Sequence, residues 1–285
     1  MKIDLHSHTT FSDGQLTPAE LVMRAQNMQV DVLAITDHDT TAGLDAAHDG
    51  VAAHYPGLQL IDGVEISTHW HSFEIHVVGL NIDRHNQTLQ DFLHVQQQKR
   101  DERAAKIADK LAKCGFEGTL ERAKRYARDG QITRAHFARV LVDCYSVTSM
   151  ESAFKKYLGK GKRAAVKAEW ASIAEAVEAI HAAGGQAVLA HPLHYDITTK
   201  WLRRLLTDFK HAKGDAVEVV FPTANPAKQQ LLFELVDEYG FLASAGSDFH
   251  MPGRWTELGR CGLKSDTLTP VWHDWALTPV LSSER

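Results

Sequence analysis

Histidines and carboxylates stand two residues apart near both ends of this sequence. The segment D-L-H-S-H places His6 and His8 at the end of an apolar run, and S-D-F-H places Asp248 and His250 in the same relation. Residues two apart in a β-strand point to the same side, so each pair could hold one metal ion or two neighbouring ions. A single H-x-H pair is weak support, because most histidines are ordinary core or surface residues.

Further ligand-type residues occur where other apolar segments begin or end. They are Asp13 in F-S-D-G, His38 in I-T-D-H-D, Glu65 in G-V-E-I-S, His76 in E-I-H and His191 in L-A-H-P. Asp37 and Asp39 flank His38, and we interpret them as residues that orient ligands or cap the next helix. Together these segments predict metal chemistry at the ends of several strands.

Seven short apolar runs are the predicted strands that position these residues: 2–6, 32–35, 58–65, 75–80, 187–190, 216–220 and 242–245. T-P-A-E at residues 17–20 predicts a helix start with a capping box, and residues 172–183 predict a helix that ends at two glycines. Alternating strands and helices favour parallel βα units, an α/β fold and a barrel. Barrel sites lie where strands end, so His76, which begins its strand, needs a local rearrangement to join the others.

The middle of the chain differs in both pattern and charge. Residues 88–167 contain no convincing strand, and their apolar spacing predicts helices. Residues 98–167 hold 18 of the 31 Lys and Arg but 8 of the 36 Asp and Glu, a net charge of +10, which leaves −15 elsewhere. This charge fits a polyanionic substrate or a solvated helical surface. We predict a metal-binding barrel formed by residues 1–87 and 168–285, with residues 88–167 as a basic helical insertion domain.

Taken in order, these segments resemble the PHP family, named for polymerase and histidinol phosphatase domains. The pattern D-x-H-x-H-T-x-x-S-D-G, I-T-D-H, a mid-chain Glu and His, A-H-P and S-D-x-H extends from Asp4 to His250. The resemblance implies a distorted (β/α)7 barrel, a trinuclear metal centre and phosphoesterase activity. It also implies nine metal ligands: His6, His8, Asp13, His38, Glu65, His76, His191, Asp248 and His250.

The ligand chemistry agrees with this resemblance. Imidazole and carboxylate without thiolate suit Mn²⁺, Fe²⁺ or Zn²⁺ more than Ca²⁺, and we expect two or three divalent ions per chain, with manganese as the first choice. Glu65 is the best candidate for a bridging ligand. Our hypothesis assigns His6, His8, Glu65 and Asp248 to one ion, Glu65, His76 and His191 to a second, and Asp13, His38 and His250 to a third.

The expected reaction needs no protein nucleophile. Metal ions about 3.5–4 Å apart lower the pKa of a shared water, and the resulting metal-bound hydroxide would attack phosphorus in line. We therefore assign no catalytic side chain. His194, three residues after His191, could protonate the leaving oxygen or could be an exposed loop residue.

The basic insertion indicates which phosphate ester is hydrolysed. Its I-T-R-x-H-F and G-K-G-K segments resemble one branch of the PHP family, the nucleoside 3′,5′-bisphosphate phosphatases and the 5′→3′ exoribonucleases acting on short RNA. The branch implies a nucleotide or short RNA substrate whose second phosphate is held by arginines, which bind phosphate through a bidentate fork. The predicted substrate-binding residues are Ser12, Arg100, Arg103, Arg134, His136 and Lys162.

Three other functions fit parts of the sequence. A histidinol-phosphatase-type phosphomonoesterase would share the metals without needing a clamp for a second phosphate. An amidohydrolase would share the H-x-H strand and the late Asp, but such enzymes often carry a bridging lysine where this chain has Glu65. A metal-stabilised RNA-binding module would use the basic helices, although the net charge of −5 and the lack of an aromatic RNA motif argue against it.

The composition bears on the cellular compartment. Cys114, Cys144 and Cys261 are far apart and odd in number, so neither a disulfide framework nor a cysteine zinc site is expected. The sequence shows no signal-peptide pattern and no run of 18 apolar residues. We expect a cytoplasmic enzyme that needs neither a membrane nor an obligate protein partner.

Overall fold

The computed structural model describes residues 1–220, 225–253 and 256–277. Within these ranges the chain forms eight strands, and seven of them pair successively across one sheet. Each predicted apolar run overlaps one of those seven. The strands are β1 (Ile3–Asp4), β2 (Val32–Ile35), β3 (Gln59–Trp70), β4 (Phe73–Leu80), β5 (Ala171–Ser172), β6 (Gln186–Leu189), β7 (Ala216–Val220) and β8 (Leu242–Ala245).

The sheet curves into a barrel. Its strands pair in the order β1-β2-β3-β4-β6-β7-β8, and β5 pairs with β3 outside this path. The end of the path returns to its beginning, because the Leu5 amide donates to the Ala245 carbonyl at 3.0 Å and Ser7 forms a parallel bridge with Phe249. The predicted α/β barrel is confirmed, and its closure brings the first and last histidine segments side by side.

One strand departs from the parallel arrangement expected from the sequence. β4 follows β3 through a two-residue turn and pairs antiparallel with both β3 and β6. The expectation of parallel units is wrong for this strand, because a tight hairpin reverses the chain direction. The start of β4 therefore lies at the face where the other strands end. His76, opposite Ser67, reaches that face by this rearrangement.

Helices cover the outside of the barrel and form the middle of the chain. The predicted capping box between Thr17 and Glu20 is present, and Ser172 and Glu175 form a second one. None of the described helices combines the length and apolar composition that crossing a bilayer requires. The α-helices are α1 (Pro18–Asn27), α2 (Leu44–His54), α3 (Gln87–Ala112), α4 (Thr119–Ala127), α5 (Arg134–Tyr145), α6 (Met150–Ala153), α7 (Ile173–Ala182), α8 (Thr199–His211) and α9 (Pro226–Tyr239).

The helical insertion has an apolar core of its own. Helices α3 to α6 and a π-helical turn at Phe154–Leu158 follow one another without an intervening strand. Phe137 lies in the core that these elements enclose, whereas Leu89, in the first turn of α3, packs into the barrel core. The predicted helical character is thus observed, while the domain boundaries at residues 88 and 167 stay a prediction.

The insertion contacts the barrel at the loop that carries Asp13. The Gln131 amide donates to the Phe11 carbonyl at 2.8 Å, and a Cβ atom at Gly130 would collide with the carbonyl oxygen of Thr10. Glycine therefore permits a close approach between the two segments. The approach places the start of α5 beside the barrel loop.

Candidate metal centre

The nine predicted ligand residues lie in one cluster at the C-terminal face of the barrel. They form four overlapping groups, and in each group the ligand atoms lie within 4.8 Å of one another. Shared residues connect the groups, as expected of adjacent cation positions. The groups are His8, Asp13, His38 and His250; His6, His8 and Asp248; His6, Glu65 and His191; and His38, Glu65 and His76.

The Glu65 carboxylate is fully buried and connects several of these histidines. Its Oε2 atom lies 3.4 Å from His6 Nε2 and 3.3 Å from His8 Nε2. Its Oε1 atom lies 2.8 Å from His76 Nδ1 and 3.0 Å from His191 Nε2. Because the two oxygens face different histidines, this carboxylate has the geometry to bridge two cations.

Two other carboxylates complete the cluster. Asp248 Oδ1 lies 3.4 Å from His6 Nε2 and 3.2 Å from His8 Nε2. Asp13 Oδ1 lies 3.1 Å from His250 Nε2. Each acid therefore faces imidazole nitrogens from other positions in the chain.

Several buried nitrogen and oxygen atoms of the predicted ligand residues lack hydrogen-bond partners. Asp13 Oδ1, His38 Nδ1, Glu65 Oε2 and His191 Nδ1 have no hydrogen-bond partner among the described residues. His38 Nδ1 and Glu65 Oε2 lie 2.9 Å apart, yet they do not form a hydrogen bond. Unpaired buried polar atoms are costly unless a ligand satisfies them. Converging imidazole and carboxylate atoms of this kind fit divalent Mn, Fe or Zn.

The histidines keep the carboxylates of the cluster ionised. Burial would raise the pKa of Glu65, but the nearby imidazoles, His38 foremost, hold it well below its usual range. The pKa of Asp13 is likewise low, because His38 and His250 outweigh the opposing effect of burial. Burial would lower the pKa of His250, but the charges of Asp13 and Asp248 raise it to about 10. The cluster therefore offers ionised acids to cations, which compete with protons for the histidines.

Two of the predicted ligand residues have unfavourable backbone conformations. His191 has a φ of 31° and Asp248 a φ of 52°, in the left-handed region that residues with a Cβ atom avoid. Each such conformation costs on the order of 1–3 kcal/mol and is typical of functional sites. His191 lies two residues after the end of β6 and Asp248 three residues after the end of β8, so the strain accompanies the turns that bring their side chains into the cluster.

Glu218 contacts two of the predicted ligands from behind, and its role was not predicted from the sequence. Its carboxylate oxygens each lie 3.2 Å from His6 Nδ1, and its Oε2 accepts a hydrogen bond from the His191 amide at 2.7 Å. The side chain is buried in β7. An acid inside the apolar run A-V-E-V-V was the signal that could have revealed it. Such a partner fixes the ring orientation of a metal-binding histidine.

Replacing Glu218 tests this positioning role. Glu218→Gln keeps the shape of the side chain but removes the charge that faces His6, so the apparent Kd for divalent metal should rise about tenfold while the fold is retained. Calorimetric titration of the metal-free protein with Mn²⁺ measures the Kd, and circular dichroism reports the fold. An unchanged Kd would contradict the role.

The acid before His38 orients the first histidine segment. Asp37 accepts hydrogen bonds from the Thr9 amide at 2.7 Å and from the Ser12 hydroxyl at 2.5 Å. The Ser12 oxygen lies 3.3 Å from His8 Nδ1 and is buried. Ser12, a predicted substrate-binding residue, is thus placed behind a proposed ligand and faces Asp37.

The acid after His38 connects the centre to the insertion. Arg100 Nε donates to Asp39 Oδ2 at 2.6 Å, and its Nη2 donates to the Ser67 hydroxyl at 2.7 Å. The Arg100 guanidinium also lies over the Trp170 ring, 5.0 Å from its centroid. These contacts anchor α3 beside the ligand segments.

The three predicted arginines meet around a cavity of about 110 Å³ that also borders His76. Arg103 donates to both oxygens of Glu74, at 2.9 and 3.2 Å, and Arg134 Nη2 lies 3.2 Å from Glu74 Oε2. Burial would raise the pKa of Glu74, but Arg134 and Arg103 hold it well below its usual range. The Arg134 side chain is 34% exposed, against 7% for Arg100 and 10% for Arg103. Arg134 is therefore the most accessible of the three.

The remaining predicted substrate residues lie away from this cavity. The His136 Nδ1 accepts a hydrogen bond from the Thr133 amide at 3.1 Å and completes a capping box at the start of α5. His136 lines a larger cleft of about 440 Å³ that also borders Asp13 and His250. Lys162 is exposed and lines neither space.

The segment after His191 forms a 3-10 turn at Pro192–His194. His194 is exposed, and its ring stacks on that of His191 at a centroid distance of 5.5 Å. His194 therefore lies beside the cluster, where a group that protonates the leaving oxygen is needed, and it also lies at the surface. Tyr195, which was not predicted from the sequence, accepts a hydrogen bond from the His76 amide at 2.8 Å and helps to hold the start of β4.

Comparisons with known proteins agree with this geometry. The sequence profile of the PHP domain matches residues 4–186. A 5′-3′ exoribonuclease from Haemophilus influenzae is 48% identical over 272 residues, which are 95% of this chain and 98% of the relative. A 3′,5′-nucleoside bisphosphate phosphatase from Chromobacterium violaceum is 38% identical over 274 residues, 95% of each chain. The crystal structure of a predicted metal-dependent phosphoesterase from Bifidobacterium adolescentis matches with a TM-score of 0.81 at 26% identity, over 94% of this chain and 92% of the other.

Proposed function

Because the chain belongs to the PHP family of metal-dependent phosphoesterases, we propose that it removes the 3′-phosphate from nucleoside 3′,5′-bisphosphates. We propose that it also releases nucleotides from the 5′ end of short RNA, and the relative named as a 5′-3′ exoribonuclease supports this. The arginine-lined cavity beside the cluster of histidines and carboxylates carries the proposal. A substrate with two phosphates can place one phosphate at the cluster and the other in the cavity.

The proposed centre holds two or three divalent ions through nine ligands. Distances from Glu65 and Asp248 to His6 and His8 support the first ion, and distances from Glu65 to His76 and His191 support the second. Asp13, His38 and His250 would hold the third. Manganese is the first choice and iron or zinc the alternatives, because the donors are nitrogen and oxygen.

When bound, these cations would offset charge on the phosphoryl oxygens and lower the pKa of an attacking water. Hydrolysis joins the water oxygen to phosphorus, breaks the bond between phosphorus and the ribose O3′, and leaves a proton on O3′. The protein itself positions charge and ligands: Glu65 keeps negative charge at the middle of the cluster, and Glu218 orients the His6 ring. Arg134 would hold the second phosphate.

The cavity of about 110 Å³ matches a phosphate group better than a nucleoside. Glu74 holds the arginines in place before substrate arrives, which lowers the entropy cost of binding. Arg134 lies at the first turn of α5, where the positive end of the helix dipole also favours an anion. These features favour a bisphosphate over histidinol phosphate, which has no second phosphate.

We also place the protein in the cytosol. Cys114, Cys144 and Cys261 are unpaired, as expected where thiols stay reduced. We propose no obligate protein partner.

Hydrolysis assays test the proposed function. We expect kcat/KM for adenosine 3′,5′-bisphosphate to exceed that for histidinol phosphate at least tenfold, because a hydrogen bond to a charged group contributes about 1.5–3 kcal/mol. Chelation should abolish both activities, and added Mn²⁺ should restore them. Preference for histidinol phosphate would reject the substrate, and RNA binding without metal-dependent hydrolysis would favour a binding module.

A further inference from the structure

The larger cleft, of about 440 Å³, is a second opening of the metal centre. Asp13 and Ala135 border both this cleft and the arginine-lined cavity. His250 borders the cleft but not the cavity. On the side of the insertion it is lined by residues of α4 and α5 with Arg128 and Met150, and on the side of the barrel by residues within 10–15 and 250–251. The two phosphate positions proposed above, at the metal cluster and beside Arg134, leave this space unassigned.

Three arginines give the cleft a positive surface. Arg125, Arg128 and Arg139 line it and are exposed. Among the described residues that line it, Asp13 is the one acid, and that residue is a proposed metal ligand. Clustered exposed cations beside a phosphoesterase centre are suited to a phosphodiester backbone.

The same cleft contains surfaces that can contact a base. Tyr126 and Met150 line it, together with Met251, which is 43% exposed. The Arg139 guanidinium lies over the Tyr126 ring, 4.7 Å from its centroid, and the Tyr126 hydroxyl donates to Asp143 Oδ2 at 2.6 Å. Aromatic rings and arginine planes bind unpaired bases without regard to sequence.

Arg128 has an unfavourable backbone conformation at the edge of this cleft. Its φ of 52° and ψ of −117° suit glycine, and a residue with a Cβ atom adopts them at a cost. Unfavourable conformations of this kind concentrate at binding sites. The Arg128 side chain lines the cleft, so this backbone conformation places its positive charge there.

We propose that this cleft binds the nucleotide that follows the scissile phosphate in single-stranded RNA. The arginines contact its backbone, and Tyr126 contacts its base. The inference rests on the proposed function and identifies the part of the site that accepts RNA as well as mononucleotides.

The chemistry requires such an opening. In a nucleoside 3′,5′-bisphosphate the scissile phosphate ends the molecule, whereas in RNA the same phosphate also carries O5′ of the next nucleotide. In both cases water adds to phosphorus and the bond from phosphorus to O3′ breaks, with a proton left on O3′. The RNA product keeps the phosphate at its new 5′ end. With the first 5′-phosphate at Arg134, the remaining chain must leave through another opening, and the cleft supplies one.

Arg128→Gly combined with Arg139→Ala tests the proposal. We expect kcat/KM for a 5′-phosphorylated tetraribonucleotide to fall about tenfold, and its salt dependence to weaken, because two phosphate contacts are lost. The value for adenosine 3′,5′-bisphosphate should stay within about twofold, since no downstream nucleotide is present. Glycine suits the backbone at residue 128, so the thermal midpoint of Arg128→Gly alone should not fall.

Lys106→Ala is the matched control, because Lys106 is an exposed cation of the same insertion that pairs with Glu102 outside the cleft. It should change neither activity. Equal losses on both substrates, or an unchanged rate with the tetranucleotide, would overturn the cleft assignment while bisphosphate hydrolysis stands. Wild-type protein that hydrolyses the bisphosphate but not the tetranucleotide would also overturn it. Failure of the wild type on both would reject the proposed function itself.

Discussion

Glu65→Gln is expected to lower kcat for every phosphate ester about 10³-fold and to remove at least one equivalent of bound metal per chain. The substitution preserves volume but removes negative charge at the point that several histidines approach. A neutral amide binds cations more weakly than a carboxylate and cannot offset the charge of two ions. The histidines that approach Glu65 are His6, His8, His38, His76 and His191.

Metal content measured by plasma mass spectrometry, alongside phosphate release from adenosine 3′,5′-bisphosphate and p-nitrophenyl phosphate, checks this result. Glu257→Gln is the control, because Glu257 is also buried but pairs with Arg24 at 2.5 Å outside the cluster. It should keep its metal and its kcat. If the Glu65→Gln variant kept its full metal content and nearly normal activity, Glu65 would not be a bridging ligand. Wild type that is active with less than one equivalent of metal would reject the multinuclear centre.

Arg134→Ala is expected to raise KM for adenosine 3′,5′-bisphosphate about 100-fold while changing KM for p-nitrophenyl phosphate little. The guanidinium borders the cavity beside His76 and is the most exposed of its three arginines. Removing it leaves Glu74 paired with Arg103 through two hydrogen bonds, so no buried charge loses its last partner. The effect should therefore come from the lost phosphate contact.

Steady-state kinetics with both substrates separate the two KM values. Arg122→Ala serves as the control, because Arg122 is an exposed arginine of α4 that lies over the Tyr145 ring, 5.2 Å from its centroid. It should leave both KM values unchanged. Equal increases for the bisphosphate and the aryl phosphate in Arg134→Ala would reject a subsite for the second phosphate.

Local patterns predicted much of the scaffold. Strand β2 coincides with its apolar run, and the capping box at Thr17 forms as expected, because both depend on neighbours in sequence. The direction of β4 was not predictable from its own residues. It depends on pairing with β3 and β6, which no local propensity specifies.

Motif spacing likewise identified residues but not their partners. The nine proposed ligands could be named from the chain, because the order of its motifs resembles the PHP family, and strand ends and H-x-H spacing imply a common face for most of them. Glu218 was missed, since its role arises only where β7 passes behind His6 and His191. The roles of the arginines were also hidden: the structure pairs Arg100 with Asp39, and Arg103 and Arg134 with Glu74.

The sequence by itself therefore determined which residues could bind metal, the presence of a helical insertion and the family resemblance. Each of these resides in residue identity and short-range spacing. Only the tertiary structure decided how His76 joins the cluster, which acids hold the arginines, and that two openings lead from the centre. Those features depend on contacts between segments far apart in the chain, which become defined only when the barrel closes and the insertion packs against it.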